Sequence, residues 1–289
     1  FNFLAAFTFG SAVASTIGKG MIDITVVTST VIFGGLMGAI VWDLITWYVG
    51  LPTSSSHALV GGYAGAAIAK SGWSALIASG WTKTLIFIVL SPLVGMTLAL
   101  IISIVSIWIF RGFSPSRVDS WFRRLQLLSA AAYSLGHGTN DAQKTMGVIA
   151  ATLYSTGYLV ADDATKLAPP VWVIFAAQAA IAVGTLYGGW KIIETMGMKL
   201  TRITRASGLA ANLGAITSIN GATHLGIPIS TTHAAASSVI GSGIGSGHRV
   251  HLRTIRNMAT AWVFTLPSAG VVGALTYTLI RSEEHTSEL

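Results

Sequence analysis

Apolar residues in this chain gather into long unbroken runs rather than into the spaced stripes of an amphipathic surface helix. Val26–Tyr48, Thr84–Phe110, Val171–Trp190 and Met258–Ile280 each approach or exceed the ~20 residues that cross the hydrocarbon of a bilayer, and each is predicted to span. Residues 1–17 read as part of another span, followed by a polar turn around Lys19 and Asp23. Segments 51–70 and 228–246 read as half-helices, and 207–226 as an apolar helix rich in alanine and glycine. Residues 71–83 read as a loop anchored at the interface by Trp73 and Trp81. The run from about 125 to Tyr158 is interrupted by the polar island Gly136-His-Gly-Thr-Asn-Asp-Ala-Gln-Lys144, where two glycines predict a break in the helix. Asp162 and Asp163 belong to a polar turn ended by Pro169-Pro170.

Composition turns this pattern into a class. Charged residues make up 9% of the 289 positions, against roughly 25% in soluble proteins, too few to cover a soluble surface. The expected architecture is an all-α polytopic membrane protein in the cell (plasma or inner) membrane, with the lipid bilayer as its solvent. The net charge of +7 comes mostly from short basic clusters between the runs, so it reports topology and not nucleic-acid binding. The absence of cysteine excludes disulfides, thiolate metal sites and a cysteine nucleophile. No metal-ligand cluster and no enzyme cofactor are expected. The opening Phe1-Asn-Phe-Leu-Ala-Ala lacks a basic n-region and reads as the middle of a helix, not as a signal peptide.

One stretch occurs twice. Gly50-Leu-Pro-Thr-Ser-Ser-Ser-His57 returns as Gly226-Ile-Pro-Ile-Ser-Thr-Thr-His233, 176 positions later (226 − 50). The same ungapped offset brings Gly65 onto Gly241, Ile68 onto Ile244 and Gly38-Ala39-Ile40 onto Gly214-Ala215-Ile216. The chain is therefore read as two copies of one unit. Loops equivalent under the offset differ in charge: Lys191–Arg205 holds two lysines and two arginines, Ser15–Ser29 only Lys19. His248–Arg256 holds three arginines and Gly72–Gly80 none. Cytoplasmic loops concentrate Lys and Arg, so equivalent loops are expected on opposite sides, as in inverted-topology repeats with re-entrant or broken half-helices. The expected parts are 1–110, the remainder of the first repeat; 111–125, a basic cytoplasmic connection; and 126–280, the second repeat. Pairs such as Gly34/Gly38, Gly61/Gly65 and Gly241/Gly245 read as close helix packing.

Each repeated stretch is a helix start. Proline suits a first turn because its missing N–H would be an orphan donor there, and Ser or Thr caps the end. Backbone N–H groups and the dipole at such a tip attract anions, with the triplets Ser54, Ser55, Ser56 and Ser230, Thr231, Thr232 as hydroxyl donors. Asn140 and Asp141 in the polar island, with His137 and the membrane-depth acid Asp43, are the candidate ligands of a coupling ion. An oxyanion beside Asp141 needs a cation between them, because a unit pair at 4 Å is worth about 4 kcal/mol at an effective dielectric of 20. That cation is Na⁺, a proton or a metal carried by the substrate. Lys144 either supplies a charge or snorkels to an interface. His57 and His233 either donate to the anion, relay a proton or bond a backbone carbonyl.

These residues resemble a known family. Trp47-Tyr-Val-Gly-Leu-Pro-Thr-Ser-Ser-Ser-His57, His137-Gly-Thr-Asn-Asp-Ala-Gln-Lys144, Gly188-Gly-Trp-Lys-Ile-Ile-Glu-Thr-Met-Gly197 and Ile227-Pro-Ile-Ser-Thr-Thr-His233 are similar to the inorganic phosphate transporter (Pit) family, from Phe1 to about Ile280. The resemblance implies inverted repeats, a central phosphate site and symport driven by Na⁺ or H⁺; a homodimer is a separate expectation, and the sequence does not disclose the oligomeric state. The Asp141-Ala-Gln-Lys144 wording is closer to the bacterial branch, similar to proton-coupled carriers of neutral complexes of phosphate with a divalent metal. A permease for sulfate or another tetrahedral oxyanion is the nearest alternative. Phosphate can donate a hydrogen bond to an acceptor such as Asp141, and sulfate at neutral pH cannot. An intramembrane serine hydrolase built on Ser55, His57 and Asp141 is disfavoured, because Ser55 and His57 are two apart on a helix and no Gly-x-Ser-x-Gly elbow exists. No catalytic residue is assigned.

Members of the family carry an Asn-Asp motif in each repeat, whereas this chain has only the second, because the offset places the first before Phe1. An N-terminally truncated fragment is therefore expected. Arg281-Ser-Glu-Glu-His-Thr-Ser-Glu-Leu289 holds three of the four glutamates and matches a reading frame of a sequencing-library adapter, so 281–289 is expected to be a non-native tail that packs against nothing.

Overall fold

The computed structural model describes residues 1–7, 11–159 and 168–287, without the side chains of residues 19, 115 and 283–287. Among the described residues every regular element is a helix, and two isolated bridges, Ile22 with Leu76 and Thr201 with Val250, join the connecting stretches. After a 3₁₀ turn at Phe3–Phe7 come α1 (Ala12–Lys19), α2 (Ser29–Val49), α3 (Ser55–Ser71), α4 (Ala78–Phe110) and α5 (Pro115–Ser155). Then follow α6 (Val171–Tyr187), α7 (Trp190–Glu194), α8 (Arg205–His224), α9 (Thr231–Gly245) and α10 (Leu252–Ser287).

Local chemistry accounts for the boundaries. Thr28, Ser54, Thr204 and Ser230 cap α2, α3, α8 and α9 by accepting backbone N–H groups. Gly50 and Gly226 stand at φ +79° and +67°, left-handed conformations that favour glycine, and turn the chain from α2 into α3 and from the end of α8 toward α9. In the turn before α2, Asp23 accepts the amide and hydroxyl of Thr25, which hold its carboxyl below the usual range.

The elements α2, α3 and α4 return as α8, α9 and α10, with starts at 29, 55 and 78 against 205, 231 and 252. Each long outer helix contains a proline, Pro92 in α4 and Pro267 in α10. The copies exchange partners: α3 packs most extensively on α10, and α9 on α4. A Cβ on Gly65 would collide with the Gly270 carbonyl oxygen, and one on Gly241 with that of Met96. Glycine at these equivalent positions lets backbones touch. The half-helices are thereby the inner layer, whereas α2, α4 and α10 are long and apolar enough to span and expose Val89, Ile104, Val263 and Leu275 outward.

Several expectations are corrected. The predicted break at Gly136 is absent, and α5 runs unbroken for 41 residues. Glycine permits a break but does not impose one. Here Gly136 and Gly138 make room for Asn220 and for the main chain of Asn2, each of which a Cβ would meet at 2.8 Å. Within residues 1–17 lie the turn Phe3–Phe7 and most of α1 (Ala12–Lys19), with 8–10 outside the described residues. The basic stretch after Arg111 is already helical from Pro115, and α4 begins at Ala78 inside the expected loop. The predicted span 171–190 ends at Tyr187 and bends by 69° into 190–199. Asp162, Asp163 and the rest of their turn lie outside the described residues.

Candidate functional site

Helix geometry leaves the first amides of α3 and α9 without intrahelical acceptors. Ser54 and Ser230 each satisfy one further amide, accepting from His57 N at 3.2 Å and His233 N at 3.1 Å. Both capping serines are buried. The remaining hydroxyls of the two triplets differ in surroundings. Ser55 is exposed and Ser56 buried, and both line a cavity of about 310 Å³ together with His137, Asp141, Lys144 and Thr145. Thr231 is buried and donates to Asp141 Oδ2 at 2.7 Å, while Thr232 is half-buried.

The structure brings together the tips and the middle of α5. Lys144 Nζ lies 2.6 Å from each of Ser56 Oγ on α3, Asp141 Oδ1 one turn earlier on α5, and the Ile229 carbonyl that leads into α9. The side chain is 2% exposed, so it does not snorkel, and its three N–H groups are all taken. Asp141 Oδ2 also meets His137 Nε2 at 3.1 Å. The His137 ring is held from behind, with Nδ1 at 3.3 Å from Asn2 Oδ1, and Asn2 in turn bonds Ser134 and Thr185. A buried charge survives only when paired and hydrogen-bonded, and this cluster meets that demand.

Other candidate residues turn elsewhere. Asn140, adjacent to Asp141 but about 100° around the helix, donates to Thr223 Oγ1 on α8 at 2.7 Å, and its own Oδ1 has no partner among the described residues. Asp43 is half-buried on α2, outside this hydrogen-bonded cluster and outside the cavity lining. Among the described residues His57 and His233 bond no backbone carbonyl. Their rings meet edge to face at 4.7 Å between centroids, His233 stacks on Trp262 at 3.9 Å, and no ring nitrogen has a partner among the described residues. Among the described residues no hydrogen bond joins His57 to Ser55, so the Ser55–His57 dyad of the hydrolase reading is not formed.

Sequence reasoning missed the braces around the tips. Thr195 Oγ1 donates to the Gly50 carbonyl at 2.9 Å, and Lys191 Nζ donates to the Tyr48 carbonyl at 2.7 Å while lying over the Tyr48 ring. Reciprocally, Thr16 Oγ1 donates to the Gly226 carbonyl at 2.7 Å. Trp262 Nε1 donates to the Pro52 carbonyl at 2.9 Å. Residues of each half of the chain thus hold the turn before the half-helix of the other half. The Lys191-to-Thr195 spacing of one helical turn was the available signal, but its target lies far away in sequence.

The model of the phosphate transporter family matches residues 1–115 and 110–273. A "Probable low-affinity inorganic phosphate transporter" of Rhizobium meliloti is 48% identical over 282 residues, covering 96% of this chain and 82% of that protein. Proteins with the same name are 44% identical in Mycobacterium tuberculosis and 41% in Bacillus subtilis. The chain spans 66% of the mycobacterial relative and 83% of the Bacillus one. A solved structure described as "The sodium-dependent phosphate transporter" aligns with a TM-score of 0.84 at 23% identity, over 97% of this chain and 87% of that one. That likeness establishes the fold.

Proposed function

The chain belongs to the phosphate transporter family, and from that premise we propose that it carries inorganic phosphate across the cell membrane as a symporter driven by H⁺ or Na⁺. The observation that carries this reading is the convergence of both half-helix tips on the Asp141–Lys144 pair. Phosphate enters the cavity of about 310 Å³, where the Ser55 hydroxyl and the free amides at the tip of α3 donate to it. The tip of α9 acts on the site through the Thr231 hydroxyl, which donates to Asp141 Oδ2 and orients the carboxylate. Donors of this kind are dipoles, and they release an anion more readily than a fork of arginines would.

The acceptor in the site favours phosphate over sulfate. Asp141 Oδ1 retains room for one more donor beyond Lys144, and a protonated phosphate oxygen supplies it. A neutral complex of phosphate with a divalent metal fits the same cavity, since the Asp141–Lys144 pair adds no net charge. The two repeats, in opposite orientation, rock against one another through the α3–α10 and α9–α4 contacts and open the site alternately to each side.

Uptake of labelled phosphate by proteoliposomes, with unlabelled sulfate as competitor, tests the reading. Ser55→Ala and Thr231→Ala are each expected to raise the phosphate concentration for half-maximal uptake about tenfold or more, since a hydrogen bond to a charged group is worth about 1.5–3 kcal/mol. Excess sulfate is expected to leave uptake unchanged. Unaltered kinetics in both variants would remove the site, and equal competition by sulfate would remove the selectivity.

A further inference from the structure

We infer that the Lys144 ammonium occupies the cation position of this site, so that a resident side chain, and not a bound alkali ion, ties the two half-helix tips together. The inference rests on the symport reading and narrows its driving ion to one other than Na⁺.

The ligand set is that of a small hard cation. A hydroxyl (Ser56), a carboxylate (Asp141) and a main-chain carbonyl (Ile229) surround one point at 2.6 Å each, and such oxygens are what hard cations take. They come from three separate places in the chain: α3, α5 and the turn before α9. No packing requirement of a lysine stem calls for three oxygens from three places around its end. The ammonium has three donors and uses all of them, and it is sealed from solvent.

Beside it, Asp141 keeps one open position, on Oδ1, fewer than the several ligands a sodium ion takes. Asp141 Oδ2 already accepts from Thr231 and lies against His137 Nε2, and two partners fill a carboxylate oxygen. Asn140 Oδ1 has no partner among the described residues, but the side chain is tied to Thr223 on α8 through its Nδ2, and one amide oxygen is far short of the several ligands a hard cation needs. The ammonium repels a second unit cation at 4 Å by about 4 kcal/mol at an effective dielectric of ~20, and the Asp141 charge that would attract one is already neutralised by the same ammonium. Removing the ammonium reverses every term: three oxygens remain around a hole of cation size, and the Asp141 charge is left without its counterion.

Thermal unfolding of the detergent-purified protein, titrated with NaCl against choline chloride at constant ionic strength and pH, reads Na⁺ binding without needing phosphate. The wild type is expected to show no Na⁺-specific shift, and Lys144→Ala a saturable upward shift at millimolar Na⁺. In proteoliposomes, wild-type phosphate uptake is expected to be equal in Na⁺ and choline, and Lys144→Ala to require Na⁺ by tenfold or more. Saturable Na⁺ stabilisation of the wild type, or a folded Lys144→Ala variant blind to Na⁺, would overturn the inference. If Lys144→Ala does not fold without salt, refolding in Na⁺ but not in choline supports it, and failure in both passes the decision to Lys144→Gln, read by the same two criteria. Absence of phosphate uptake by the wild type would refute the transport reading and leave the unfolding comparison intact.

Discussion

Replacing Asp141 by Asn should destabilise the protein far more than an exposed substitution does, because it strips the counterion from a sealed ammonium. Lys144 is 2% exposed and lies 2.6 Å from the carboxylate. Removing one partner of a buried pair costs about 3–5 kcal/mol, since the other charge is left uncompensated. Asparagine keeps an acceptor for Lys144, so its loss should fall near 3 kcal/mol, and Asp141→Ala should approach 5 kcal/mol. Lys144→Met strands the opposite charge and should cost a similar amount. The double variant Asp141→Asn/Lys144→Met leaves neither charge behind and should recover about 2–3 kcal/mol relative to the sum of the singles. Reversible unfolding in mixed SDS micelles gives all four corners of this cycle. Trp262, stacked on His233 between the tips, is a fluorescence reporter close to the site. Losses that add to within about 0.5 kcal/mol would show that the two groups do not interact as a buried pair, and the account of the site would fail with them.

Two further outcomes follow from packing and charge. Gly65→Ala and Gly241→Ala place a methyl group against the carbonyl oxygens of Gly270 and Met96; both should deplete the protein from the membrane, whereas Gly184→Ala, which meets nothing within 4 Å, should be neutral or stabilising by up to about 1 kcal/mol. Normal abundance of the first two, read by quantitative blotting, would refute the close-contact argument. For topology, Arg111–Arg124, Lys191–Arg205 and His248–Arg256 are expected on the cytoplasmic side and Gly72–Trp81 outside. In a chain without native cysteine, Ser74→Cys should react with an impermeant thiol reagent in intact cells and Ser116→Cys only after permeabilisation. The opposite pattern would remove the inverted-repeat reading.

The sequence by itself determined the class, the repeat and the chemistry of the tips. Twenty-residue apolar runs have one stable solvent, and the 176-residue offset carries the same proline, hydroxyls and histidine to two helix starts. Capping is local chemistry, so Ser54 and Ser230 announce their helices without knowledge of the rest of the fold. What surrounds those tips is set by residues distant in sequence, and no periodicity reports it. The glycines around His137 looked like a helix break because permissiveness is a local property, yet they serve contacts with Asn2 and Asn220 from elsewhere in the chain. Asn140 and Asp141 looked like one ligand pair, but the helical rotation between neighbours sends one to α8 and the other to the tips. The choice between Lys144 as a site charge and Lys144 as a snorkelling surface residue was open for the same reason. A lysine's stem reaches either way, and only the assembled fold, which sets Ser56 and the Ile229 carbonyl 2.6 Å from its ammonium, decides which end of that reach is the lower in free energy.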